Sequence, residues 1–197
     1  MRFGPIGGLL VIAACLLLLA TEAIAATGES VRVATTTPGG IVATSALILL
    51  AVGAAILGLS GGRPLDGGFV RGGLLLVAIG ILTVIATSNV SASSLLVVVY
   101  LAGGLVNLIG AVTLGLALLR SSRRPRRLAY VFLAGLLLAA IGGGAANAAS
   151  SDVALVAGFA KVVSPVLALI GSWVMLAAVT GLGFLGLRAT NGDPAAS

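Results

Sequence analysis

The chain has 197 residues, 59% hydrophobic and 8% charged, with a mean hydropathy of +1.25. A water-soluble domain carries about 25% charged residues to cover its surface, so this composition excludes an ordinary soluble fold. The net charge of +6 does not point to nucleic acid, because the basic residues cluster between apolar runs without interleaved aromatics, and the absence of histidine with a single cysteine leaves almost nothing to build a metal site.

Six apolar runs follow one another, at residues 6–26, 41–59, 69–87, 95–119, 128–149 and 165–187. Each is near the roughly 20 residues that a helix needs to cross a hydrocarbon layer of about 30 Å. The expected fold class is therefore all-α: a polytopic transmembrane bundle of six spans, or five if the first is removed.

The first run has two readings. As a signal peptide, Arg2 supplies the positive region, residues 7–20 the apolar region, and Ala23-Ile24-Ala25 the small-x-small cleavage pattern. As a span, it begins the bundle with its N-terminus inside. The division expected is residues 1–26 as first span or signal peptide and 27–197 as the helix-bundle domain. Ile12-Ala13-Ala14-Cys15 has the shape of a lipoprotein box, but four leucines follow it, so a small apolar thiol inside a helix is the preferred reading.

Residues 27–40 form the longest polar segment, too short for a core of their own, and Pro38-Gly39-Gly40 reads as a turn that closes it. The second run stops at Ser60-Gly61-Gly62, and a turn over residues 63–68 leads to the third. Arg71 lies about one turn inside that run, where its long stem can reach the headgroups. Asn107 falls at the middle of the fourth run. An amide there is costly to leave facing lipid, so it should meet another helix or line a wet path.

Between the fourth and fifth runs lies Arg120-Ser-Ser-Arg-Arg-Pro-Arg-Arg127. Arg120, Arg123, Arg124, Arg126 and Arg127 there share one side of the bilayer with Arg2, Arg63, Arg71 and Arg188, leaving only Arg32 and Lys161 opposite. Cytoplasmic loops carry such an excess, which places this side and the C-terminus in the cytosol of a multi-pass cell (inner or plasma) membrane protein. The same loop should meet anionic headgroups.

In the fifth run Gly135, Ala139, Gly143 and Asn147 repeat every four residues and share one helix face, a stripe that lets two backbones approach closely. This run is expected to be the most buried. Residues 153–163 read as a helix on the outer membrane surface, with Ser164-Pro165 breaking the chain before the last span.

An internal echo links the runs. Gly73-Leu-Leu-Leu-Val-Ala-Ile-Gly80 matches Gly135-Leu-Leu-Leu-Ala-Ala-Ile-Gly142, with a looser copy at Gly8. The even runs end in Leu57-Gly58-Leu59, Leu114-Gly115-Leu116 and Leu185-Gly186-Leu187. Three parallel two-helix hairpins are implied. On residues 72–82 and 101–110, this pattern resembles the HdeD-like acid-resistance membrane proteins. The resemblance implies a non-enzymatic membrane protein linked to envelope stress and carries no site residue with it.

No nucleophile–base pair stands out beyond Lys161 and Ser164, and the acidic residues lie at run ends or in loops, so an enzyme is not expected. No cofactor is implied. The expected function is that of an accessory or assembly subunit or envelope-stress scaffold packing through Gly and Ala faces, with a homo-oligomer or a membrane protein as partner. The alternative is a small-solute transporter or channel using Asn107, Thr83, Thr113 and Ser172.

Overall fold

The computed structural model describes residues 4–26, 36–60, 65, 67–88, 94–120, 126–148 and 154–188, side chains at 26, 94, 142–148, 154–165, 168 and 188 excepted. These residues form six helices: α1 (Gly4–Ala26), α2 (Pro38–Ser60), α3 (Gly68–Ser88), α4 (Ser94–Arg120), α5 (Arg126–Ala148) and α6 (Ala154–Arg188). Among them α1, α2, α3, α4 and residues 169–187 of α6 are long and apolar enough to cross a membrane. The fold is an all-α membrane bundle. Its helices are apolar on every face, and leucines such as Leu9, Leu59 and Leu95 stand exposed for lipid to cover.

The helices form a ring. Each packs on its neighbours in chain order, and α6 closes the circle on α1. The most extensive contacts are α1 with α2, α3 with α4 and α5 with α6, three hairpins side by side. The α4–α5 seam is the least extensive of the six. The N-terminal ends of the odd helices lie beside the C-terminal ends of the even ones, so Arg71, Arg120, Arg126 and Arg127 share one end of the bundle, here the basic end.

Glycine decides how closely these helices approach. In a bilayer the surrounding chains are as apolar as leucine, so helices associate through packing and not by leaving water. A Cβ at Gly8 of α1 would lie 2.5 Å from the Gly183 carbonyl oxygen of α6, and one at Gly53 of α2 would lie 3.0 Å from the Val11 nitrogen. The repeated Leu-Gly-Leu glycines occupy equivalent places. Gly58 faces Arg71 and Leu75 of α3, Gly115 faces Leu133 of α5, and Gly186 faces Gly8 of α1. Each therefore sits where one hairpin joins the next.

Two boundaries differ from the sequence expectation. Pro38-Gly39-Gly40 is the first turn of α2 and not the end of a loop. The Thr37 hydroxyl accepts a hydrogen bond from the Gly40 N–H at 3.1 Å, capping the helix, and proline follows at the position that needs no N–H. The second difference is larger. α6 runs unbroken for 35 residues through Ser164 and Pro165, so there is no separate surface helix. Proline in a helix removes one ladder bond and can kink the axis without ending the helix. At about 52 Å, α6 is longer than the hydrocarbon is thick.

Burial along α5 also departs from expectation. Over its described side chains it buries Ala129, Phe132 and Gly135 and exposes Leu137 and Ile141. The most buried helix among the described residues is α2, which packs inward through Ala46, Ala51, Gly53, Ala54 and Leu57.

Candidate functional site: a central apolar cavity

The ring encloses a cavity of about 420 Å³, to which all six helices contribute. Val11, Leu50, Leu74, Ala111, Leu136 and Val179 each represent one helix in its wall. That volume lies within the ~300–1,000 Å³ typical of small-molecule sites. Among the described lining residues Asn107 alone carries a polar side chain. Typical sites add several convergent polar groups to an apolar wall. This wall has one.

Asn107 is half-buried, and its backbone takes the place that a side chain at Gly80 would need. A Cβ at Gly80 would lie 2.5 Å from the Asn107 nitrogen and 2.6 Å from its Cβ. The same α4 face continues through Gly103 against Thr83 and Gly110 against Val77, with Leu114 against Gly73. Asn107 thus sits on the edge between the α3 contact and the cavity.

The other polar residues considered for a solute path are not gathered there. The Thr83 hydroxyl donates to the Ile79 carbonyl at 2.8 Å, so it is satisfied within its own helix. Thr113 lines a separate hollow of about 430 Å³ at the basic end, with Arg120 and Phe69. Ser172 is half-buried on α6 and is not part of the cavity wall. Lys161 and Ser164 lie outside the described side chains.

On the α5 packing stripe, Gly135 meets the Met175 backbone of α6, where a Cβ would lie 2.8 Å from the nitrogen. Ala139 abuts Gly171, whose Cβ would lie 2.6 Å from the Ala139 nitrogen. Gly143 and Asn147 occupy the last turns of α5, outside the described side chains. Arg126 and Arg127 are exposed at the start of α5 and Arg120 at the end of α4, whereas Arg123 and Arg124 lie outside the described residues. Arg127 borders a shallow hollow of about 510 Å³ between α5 and α6. Cys15 is buried at the middle of α1.

Sequence reasoning missed the cavity. Leu50, Leu136 and Val179 are a few among many apolar residues on helices without a polar face, and nothing in their spacing marks them. Comparison with protein-family models, curated proteins and solved structures finds no match to this chain.

Proposed function

We propose that this protein is a non-enzymatic integral membrane protein, acting as an accessory or assembly subunit or as an envelope-stress scaffold. The observation that carries this reading is the Gly80–Asn107 contact. There the Asn107 backbone and Cβ lie in a close helix–helix approach, and its amide is the one polar side chain among the described residues of a cavity otherwise walled by hydrocarbon. Exposed apolar and small positions on α4 and α5, among them Leu101, Leu105 and Ala134, leave room for a second membrane helix. The hairpin resemblance to the HdeD-like proteins points to the same class.

The basic end lies in the cytosol on this reading, with the C-terminus, and the protein resides in the cell membrane. The grouping of Arg71, Arg120, Arg126 and Arg127 supports the orientation and the contact with anionic headgroups. The first helix stays in the mature protein: it lies between α2 and α6 through Gly7 and Gly8, and its removal would open the ring.

Affinity purification in a mild detergent tests the reading. A second copy or another membrane protein is expected at fixed stoichiometry, and a monomer without companions under all mild conditions contradicts it. The cavity enclosed by six helices favours, as second reading, passage of an uncharged small solute. Solute flux into proteoliposomes containing the purified chain alone would promote that alternative.

A further inference from the structure

The α4–α5 seam is closed at the basic end and, over the described side chains, loosens toward the middle of the bundle. On α4, Gly115 faces α5, and Ala111, Leu108 and Gly104 continue its stripe along the helix. Gly115 and Ala111 are buried, and Gly115 meets the Leu133 side chain. Leu108 is 43% exposed, and a Cβ at Gly104 would meet nothing within 4 Å among the described residues. The facing stripe of α5 follows the same gradient: Ala129 is fully buried, Leu133 half-buried and Ala140 exposed. Leu108 and Gly104 also belong to the cavity wall. Residues that line the cavity are thus also exposed outside the bundle, and the cavity communicates sideways with the bilayer at about the middle of α4.

We infer that this cavity holds one acyl chain of a phospholipid from the surrounding bilayer, inserted between α4 and α5. Three observations select this ligand. The wall is hydrocarbon apart from Asn107, so a polar solute would leave its hydrogen bonds unmade. The opening lies at hydrocarbon depth, where lipid chains are the surrounding medium. The volume also fits. A dry apolar cavity of about 150 Å³ takes benzene, six carbons, and by the same scale about 420 Å³ takes roughly 17 carbons, the size of a common acyl chain. The inference requires only that the chain spans a bilayer, and stands apart from the scaffold and transport readings.

Photocrosslinking tests it. The full chain is reconstituted with a phospholipid carrying a diazirine near the end of one acyl chain. After illumination, adducts are mapped by mass spectrometry. Adducts are expected on Leu50, Ala111 and Leu136, which face the cavity, as well as on lipid-facing residues such as Leu9. Ala111→Phe fills the cavity and should lower the inner adducts about tenfold, a factor equal to 1.4 kcal/mol of affinity, while the Leu9 adduct persists. If that variant does not fold, Ala111→Leu should lower them to a smaller extent, in a protein with unchanged helicity. Adducts confined to outward-facing residues in the unaltered chain overturn the inference. Inner adducts formed only by a diazirine free fatty acid, or inner adducts insensitive to both substitutions, overturn it as well, as does a crosslink showing a partner helix seated in the seam.

Discussion

Gly80 of α3 and Asn107 of α4 touch so closely that a Cβ on the glycine would lie 2.5 Å from the asparagine nitrogen. No flexible side-chain end is available there to yield, because the neighbour is backbone. Gly80→Ala should therefore force α3 and α4 apart and lower stability by about 1–3 kcal/mol, and Gly80→Leu should lower it further. Gly72, on the same helix, has nothing within 4 Å of its Cβ position. Gly72→Ala should be neutral or stabilise by about 0.5–1 kcal/mol through helix propensity. Thermal unfolding of both variants in one detergent measures the contrast.

Ring closure depends on Gly8 in the same way. A side chain there would run into Gly183 and Leu187 of α6, whereas at Gly4, one turn earlier, the nearest atom would be at an ordinary 3.6 Å. Gly8→Val should weaken the α1–α6 contact by about 1–3 kcal/mol, and Gly4→Ala should be tolerated. A disulfide or chemical crosslink engineered between α1 and α6 reads the outcome: it should form in the Gly4 variant and fail in the Gly8 variant.

Packing density makes a third prediction. Leu57 is 2% exposed in the cavity wall, and Leu59, two residues on, is 73% exposed. Truncating a buried leucine costs about 2–5 kcal/mol in soluble proteins. In a bilayer the water-transfer part of that cost is missing and lost dispersion contacts remain, so Leu57→Ala should fall in the lower half of the range. Leu59→Ala should leave the unfolding midpoint unchanged. Equal losses at both positions would contradict the lipid-facing assignment of Leu59.

The helices were legible in the sequence because length and apolarity define a membrane span. The runs at 41–59 and 69–87 sit within one to three residues of α2 and α3 at each end. What failed did so for local reasons. Pro38 and Pro165 were both read as punctuation, yet one opens a helix under a Thr37 cap and the other lies within a helix that continues past it. The close-packing role of glycine could be anticipated from its four-residue spacing, as at Gly135. Its partners could not: which helix Gly8 meets follows from ring closure, a property of six helices together. The cavity left no trace in the spacing for the same reason, since its wall takes two to five residues from each helix, nearly all of them ordinary apolar ones.

Vectorial labelling decides whether the ring spans the bilayer with its arginine-bearing end in the cytosol, as proposed. In a Cys15→Ser background, single cysteines are placed at Gly68, exposed at the basic end with open space around it, and at Ser88, exposed at the opposite end. Intact cells are treated with a membrane-impermeant maleimide. The Ser88→Cys protein should be labelled at once and the Gly68→Cys protein only after permeabilisation. Labelling of Gly68→Cys from outside, or of both positions from one side, would contradict the account.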